Sequence, residues 1–289
     1  MVLPPAALVT GASSGIGEAC VRRLDALGYQ VFAGVRRVED ADRLKTAGSA
    51  RLCPLLLDVT DSAGIGRAVE TVALAVGDHG LSGLVNNAGI AVGGPLEYVT
   101  PEELRFQLDV NVVGLHAVTR AFLPLVRRGR GRIVHIGSIS GRVASPFTGP
   151  YAASKHAVEA LADALRLELA PEGLHVAVVE PGQVRTPIWD KGLAGFAAVT
   201  RRIPEEGLVR YGTRIKALEW MVRRAPRVAE PPEAVADAVI HALEAAEPKT
   251  RYVVGRDARV RLALSRWLPD RLMDAMVLSV MRKVEARVS

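Results

Sequence analysis

A buried strand that runs directly into a glycine turn and then a helix restricts the fold of this chain more than any other segment. Ala6-Ala7-Leu8-Val9 is a short continuous apolar run of the kind a buried parallel strand needs. Thr10-Gly11-Ala12-Ser13-Ser14-Gly15-Ile16-Gly17 follows without a break. Over residues 16–27, Ile16, Ala19, Cys20, Leu24 and Leu27 fall on one helical stripe, and Gly28 offers a left-handed stop. Strand, turn and helix N-terminus together make a diphosphate cradle. Glycine lets the main chain come close, and the free N–H groups and dipole of the helix favour negative charge. A glycine triplet alone is weak evidence; its place between a strand and a helix gives it weight.

Short apolar runs near residues 6–10, 29–35, 51–57, 83–87, 132–137, 175–180 and 250–254 alternate, for the most part, with helical patterns. That alternation calls for an α/β fold, a single doubly wound parallel sheet of Rossmann type with helices on both faces. Pro54 removes a ladder donor from the third run, so that strand belongs at the sheet edge. Thr100-Pro101-Glu102-Glu103 supplies an N-cap, a proline for the first helical position and a capping-box acid. A long helix is expected from there, with Asn111 in its interior. At 289 residues and 49% hydrophobic content the chain buries a large core as one domain. Its two cysteines, Cys20 and Cys53, give no disulfide framework and suit a reducing compartment. No basic leader with an apolar segment precedes the first strand, and no apolar run reaches bilayer length, so the expected location is cytoplasmic.

Tyr151 and Lys155 stand at i and i+4, so phenol and ammonium project from one helix face. The cation is expected to lower the cost of ionising the phenol, whose free pKa of ~10 is too high for a general base at neutral pH. Taken alone, Tyr-x-x-x-Lys is an ordinary surface pair; the glycine turn and Ser138, thirteen residues before Tyr151, single it out. The six histidines, at 79, 116, 135, 156, 175 and 241, form no H-x-x-x-H pair and no Cys/His cluster, so no metal is expected. His156 points to another side of the helix from Tyr151 and is given no role.

The spacing Gly-x-x-x-Gly-x-Gly, then Asn86-Asn87-Ala88-Gly89, Ser138, Tyr151-x-x-x-Lys155 and Pro181-Gly182, resembles the short-chain dehydrogenase/reductase family over residues 6–255. Within it, Ser138-Ile139-Ser140-Gly141 and the stretch from Gly149 to Leu169 are most similar to the retinol, hydroxysteroid and 3-hydroxybutyrate dehydrogenase branch. The resemblance implies a catalytic set of Asn111, Ser138, Tyr151 and Lys155. Ser138 would stabilise charge on the substrate oxygen, and Tyr151 would give or take its proton. Lys155 would bind the nicotinamide ribose hydroxyls, and Asn111 would hold a water linking Lys155 to solvent. The alternative for Asn111 is the satisfaction of backbone groups at a helix irregularity. The resemblance also implies cofactor contacts from Gly11, Ser13, Ser14, Gly15, Ile16 and Gly17, from Asp58 and Val59 beside the adenine, and from Asn87, Ala88 and Gly89. At the nicotinamide it implies Pro181, Gly182, the Val184 backbone and the Thr186 hydroxyl, together with Tyr151 and Lys155.

Cofactor choice is read at the end of the second strand, where an NAD-selecting chain places an acid for the ribose 2′-hydroxyl. Here the residues are Gly34-Val35-Arg36-Arg37, with no carboxylate before Glu39. Two guanidinium forks suit a 2′-phosphate, so NADP is expected at Arg36 and Arg37, with NAD as the alternative.

Two segments depart from the family pattern. The first, 188–231, stands where the family builds its substrate lid, and Trp189, Phe196, Tyr211, Trp220 and Met221 give it an apolar aspect. Those aromatics point either to a lipophilic substrate or to ordinary core packing. The second, 256–289, reads as a C-terminal amphipathic extension to a catalytic domain of residues 1–255. Its rough stripe runs through Trp267, Leu268, Leu272, Met273, Met276, Val280, Met281 and Val284. Residues 201–227 carry eight Lys/Arg against three Asp/Glu and residues 255–289 eight against four, whereas the whole chain nets only +6. Basicity is thus confined to lid and tail, where it would attract a membrane surface, an acyl carrier or a coenzyme A ester, or simply form a solvated face. No nucleic-acid motif is present, and aromatics are only 4%, which argues against nucleic-acid binding. The expected activity is NADP(H)-dependent hydride transfer with a lipophilic alcohol or ketone of steroid, retinoid or long-chain carbonyl type. The alternatives are a 3-oxoacyl thioester reductase and a non-catalytic dinucleotide sensor on the same fold. A homodimer or homotetramer is expected from the family's usual pairing through helices near 101–128 and 151–170.

Overall fold

The computed structural model describes residues 4–224 and 229–288. Seven strands form one parallel sheet: β1 (Ala6–Thr10), β2 (Gln30–Val35), β3 (Leu52–Leu56), β4 (Gly83–Asn86), β5 (Arg132–Ile136), β6 (His175–Pro181) and β7 (Arg251–Val254). Their spatial order is β3-β2-β1-β4-β5-β6-β7. The order reverses between β1 and β4, which opens a crevice at the carboxyl ends of those two strands. Each expected strand is present, and β3 lies at the sheet edge, where Pro54 pairs with Ala33.

The helices are α1 (Gly15–Ala26), α2 (Val38–Ala47), α3 (Ser62–Val76), α4 (Pro101–Leu108), α5 (Leu115–Arg128), α6 (Gly149–Leu169), α7 (Ile188–Thr200), α8 (Glu205–Arg224), α9 (Pro232–Glu244), α10 (Arg256–Trp267) and α11 (Asp270–Val288). One face of the sheet buries Val21 and Leu24 of α1 with Val235 and Val239 of α9. The other buries Val72 of α3, Val118 and Phe122 of α5 and Ala162 of α6. A fully buried side chain of the Phe122 type contributes about 1.5–3 kcal/mol, so these two layers hold α6 firmly on the sheet. The stripe expected on α1 is shorter than its sequence suggests. The helix stops at Ala26, Leu27 is exposed, and Gly28 turns the chain at φ +89°.

Thr100 caps α4 with the reciprocal Glu103 bond that the sequence predicts. The helix does not continue as a plain α-helix: Asp109–Gly114 form a π turn that joins α4 to α5. At its end Gly114 lies against Val59, and a Cβ there would stand 2.7 Å from Val59 Cγ2.

The lid aromatics mostly pack on one another. Phe147, Phe196, Ile203, Ile215, Met281 and Val284 form a third buried cluster, edged by Tyr98, Tyr211, Trp220 and Met221. Phe147 meets Phe196 and Tyr211 edge-on, at centroid distances of 6.3 and 6.2 Å. The tail stripe divides accordingly. Met281 and Val284 of α11 dock against α8, whereas Trp267, Leu272, Met276 and Val280 stay exposed. Positions 225–228 of the expected lid and Ser289 of the tail lie outside the described residues. Among the described residues no helix is long and apolar enough to cross a membrane.

Candidate active site

Gly11 and Gly15 adopt φ +63° and +58°, values that favour glycine. Each is also crowded: a Cβ on Gly11 would stand 2.8 Å from Ala88 Cα, and one on Gly15 would stand 2.9 Å from Thr186 Cγ2. A Cβ on Gly17 would overlap the Gly11 carbonyl oxygen. The first glycine turn, the Asn87-Ala88 segment after β4 and the Thr186 loop after β6 therefore converge on one cradle. Asn87 Nδ2 donates to the Thr10 and Gly11 carbonyls at 2.9 and 3.0 Å. Thr10 Oγ1 accepts from the Asn87 and Ala88 main-chain N–H groups, both at 3.0 Å. Thr10 is a site residue that the sequence reading passed over, although it stands first in the glycine motif. Ser14 is the extended N-cap of α1 and its hydroxyl makes no cap bond, while Ile16 packs half-buried on the core.

Arg36 and Arg37 extend from the end of β2 into solvent. They differ in commitment, since Arg37 Nε donates to Asp40 at 2.9 Å and Arg36 has no partner among the described residues. A third cation stands closer to the cradle: Arg43 of α2 donates to the Ser13 carbonyl at 2.6 Å and to both oxygens of Glu18. Nothing in the local sequence marks Arg43, because it reaches the turn only through the packing of α2. Asp58 closes a tight turn by accepting from Thr60 N and Oγ1 at 2.9 and 2.7 Å. The helix-capping acid of that loop is Asp61, which accepts from Ala63 N. Val59 is buried, and Gly89 sits where a Cβ would lie 3.3 Å from Asn111 Oδ1.

Ser138 follows β5 and is buried, its Oγ accepting from Ser140 N at 3.1 Å. The first turn of α6 brings Tyr151 toward it, and the Ser138 hydroxyl acts on the phenol in the direction of ionisation. One turn later Lys155 is buried, with Nζ 5.8 Å from the Tyr151 ring centroid and donating to the Ile136 carbonyl at 2.6 Å. Burial pushes the Lys155 ammonium down to about 8, and the Glu159 carboxylate opposes that fall. The expectation that the phenol is held low is corrected here. Burial raises the Tyr151 pKa, and only the neighbouring Ser138 acts toward ionisation. Asn111 accepts from Ile90 N at 2.9 Å and donates to Ile90 O and Ser154 Oγ at 3.0 and 3.1 Å. It sits within the π turn, and its side chain straps the loop after β4 onto α6. His156 turns away, with Nδ1 2.8 Å from the Ala152 carbonyl.

Pro181 ends β6 and Gly182 N donates to Val254 O at 2.8 Å. The Val184 carbonyl accepts from the Trp189 indole at 2.6 Å, and the Val184 N–H has no partner among the described residues. Asp257 in the first turn of α10 accepts from Gln183 N at 3.0 Å, and a Cβ on Gly182 would overlap its carboxylate. Arg261, one turn on, donates to Ser145 Oγ at 2.8 Å. Phe147, between Ser138 and Tyr151, holds φ +65°, a strained value for an aromatic residue, and its carbonyl accepts from Gly94 N at 2.8 Å.

Residues 5–194 match the family model described as short chain dehydrogenase. The chain is 38% identical over 283 residues to the NADPH-dependent 3-dehydrocapnine reductase of Ornithobacterium rhinotracheale, covering 96% of this chain and 98% of that protein. It is 37% identical to retinol dehydrogenase 5 of Mus musculus (97% and 90% covered) and 38% identical to 17-beta-hydroxysteroid dehydrogenase type 6 of Bos taurus (92% and 85%). Among solved structures, a short chain dehydrogenase of Burkholderia cenocepacia in complex with NADP superposes with TM-score 0.72 at 27% identity, covering 96% of this chain and 99% of that one. A short chain dehydrogenase/reductase of Burkholderia phymatum in complex with NAD gives TM-score 0.76 at 26% identity, covering 91% and 94%. The chain therefore belongs to the short-chain dehydrogenase family, as an oxidoreductase of its retinol and hydroxysteroid dehydrogenase branch.

Proposed function

We propose that this oxidoreductase uses NADP(H) and acts on a lipophilic alcohol or ketone. The observation that carries the reaction is the placement of buried Ser138 after β5, Tyr151 in the first turn of α6, and Lys155 buried one turn behind with Nζ 5.8 Å from the Tyr151 ring centroid. The residues fit a dinucleotide on their own geometry, since the cradle excludes a Cβ at Gly11, Gly15 and Gly17 and the Val184 N–H has no partner among the described residues. When bound, the nicotinamide would supply the hydride for reduction and accept it for oxidation. Ser138 donates to the substrate oxygen and Tyr151 passes its proton to that oxygen during reduction, or takes it during oxidation. Burial keeps the proton on the Tyr151 phenol, the form that donates during reduction. Lys155 spends one of its three N–H donors on Ile136, leaving the others for ribose hydroxyls. Asn111, strapped between Ile90 and Ser154, is assigned the water that would pass the proton outward.

The preference for NADP rests on Arg36 and Arg37 at the end of β2, supported by the NADPH dependence of the 3-dehydrocapnine reductase relative. The remaining cofactor contacts are assigned to Ser13, Ser14, Ile16, Asp58, Val59, Asn87, Ala88, Gly89, Pro181, Gly182 and Thr186. The lipophilic substrate rests on the retinol and steroid relatives. The exposed Trp267, Leu272, Met276 and Val280, with Arg266 and Arg271 alongside, suit a peripheral contact with an anionic membrane surface. A turnover screen with NADPH and NADH in parallel, over steroids, retinoids, acyl thioesters and small ketones, tests the reading. NADPH-driven reduction of lipophilic ketones is the expected result. Preference for acyl thioesters would move it to a 3-oxoacyl reductase, and tight NADPH binding with no turnover on any class would overturn it.

A further inference from the structure

Behind the catalytic pair lies a buried charge cluster that the chemistry above does not use. Glu180, wholly inaccessible on β6, and Glu159 of α6 face the same two guanidinium groups. Arg142, from the turn after β5, reaches Glu180 Oε1 at 3.3 Å and Glu159 Oε2 at 4.0 Å. Arg251, from β7, reaches Glu159 Oε2 at 3.1 Å and Glu180 Oε1 at 3.6 Å. Part of the Arg251 charge is drawn off by Asp163 of α6 at 2.7 Å, itself paired with Arg166 at 3.0 Å. The other oxygens, Glu159 Oε1 and Glu180 Oε2, are buried without a hydrogen-bond partner among the described residues. Two carboxylates that share cations inside the fold, each with an orphan oxygen, resist simultaneous ionisation.

The orphan oxygen of Glu159 is the one that looks toward the active site. Lys155 Nζ donates to the Ile136 carbonyl, and Glu159 Oε1 rests against the next residue, Gly137, where a Cβ would come to 3.0 Å of it. Ammonium and carboxyl are therefore neighbours on α6, one turn apart, and both abut consecutive residues at the end of β5. We infer that Glu159 is a positioning residue that sets the charge of Lys155, and that Glu180 acts on Lys155 by controlling how readily Glu159 ionises. Glu159 is held above the ordinary carboxylate range, to about 7, because burial and Glu180 push it up while Arg251 and Arg142 pull it down. Ionisation of Glu159 places a full negative charge beside Lys155 and opposes the fall that burial imposes on the ammonium.

A purely structural cluster and a charge-setting one predict different signs. The protein contains six lysines, so side-chain 15N labelling of lysine gives a countable set of resonances, with Lys155→Met assigning the one of interest. Glu159→Gln is expected to lower the Lys155 midpoint by about one pH unit, a tenfold change in its ionisation constant. Glu180→Gln, which removes the charge opposing Glu159 ionisation, is expected to leave that midpoint at or above its wild-type value. Infrared spectra of the wild type at neutral pH should contain a protonated-carboxyl band that either substitution removes. No such band, no change in Glu159→Gln, or an equal fall in both variants would overturn the inference. If Glu159→Gln does not fold, the wild-type band and the Glu180→Gln midpoint still decide. The role in turnover rests on the proposed function. Its separate readout is the pH at which NADPH binding weakens, which should follow the Lys155 midpoint. A Lys155 midpoint that moves while NADPH binding does not would sink the functional reading and leave the charge coupling standing.

Discussion

Asp257 in the tail helix α10 accepts from the Gln183 main chain at 3.0 Å, so the tail begins as a clamp on the loop assigned to the nicotinamide. Gly182 leaves room for that carboxylate, and Arg261 ties the same helix to Ser145 near Tyr151. Asp257→Ala should therefore raise the KM for NADPH roughly tenfold, the scale of one charge-assisted hydrogen bond, with little change in melting temperature. Steady-state kinetics beside calorimetry checks this, and an unchanged KM would remove the clamp from the account.

Tyr151→Phe keeps the ring and deletes the proton. Turnover is expected to fall by roughly 10²–10⁴-fold while NADPH affinity, followed by fluorescence, stays within a few-fold of wild type. Substantial residual turnover would displace Tyr151 from the proton-transfer role.

The two arginines after β2 are not equivalent. Arg37 is held by Asp40, whereas Arg36 has no such partner among the described residues. Arg36→Ser is expected to weaken NADPH binding by roughly 10–100-fold and leave NADH little affected, with a smaller loss for Arg37→Ser. Titrations at two salt concentrations would check it, because the loss should shrink as salt screens the charge. Equal losses for both cofactors would count against a 2′-phosphate site.

Stability should respond to pH through two buried groups of opposite sign. Burial and the Lys155 charge press His135 from 6.5 down to about 4, so its contribution is present above pH 6.5 and is lost as pH falls toward 4. Glu159 is raised from 4.5 to about 7, so its contribution is present below pH 4.5 and is lost as pH rises toward 7. The two offset each other between pH 4.5 and 6.5. Calorimetry should find a shallow dependence in the wild type over that window. Glu159→Gln should melt at lower temperature as the solution is acidified, and His135→Gln at higher temperature. Parallel curves for all three would contradict these assignments.

The sheet and the cradle were legible because their signals are local. Gly11, Gly15 and Gly17 are demanded by positive φ or by close approach within one turn, and Pro54 announced an edge strand by what it cannot donate. Thr100 with Glu103 is likewise a four-residue device. Asn111 was half legible: its position was plain, but the π turn around it and its grip on Ile90 depend on the loop after β4. The phenol was misjudged because helix spacing reports the Lys155 charge but not the desolvation of Tyr151, and burial is a property of the assembled site.

Thus the sequence alone determined the doubly wound fold, the dinucleotide cradle and the Ser138, Tyr151 and Lys155 set, all written in short-range spacing and backbone geometry. Only the tertiary structure decided that Arg43 reaches Ser13, that Asp257 clamps the Gln183 loop, and that Glu159 and Glu180 share two arginines behind Lys155. Those contacts join residues from separate elements, and their strength comes from burial, which no run of residues expresses until the sheet and helices close around it.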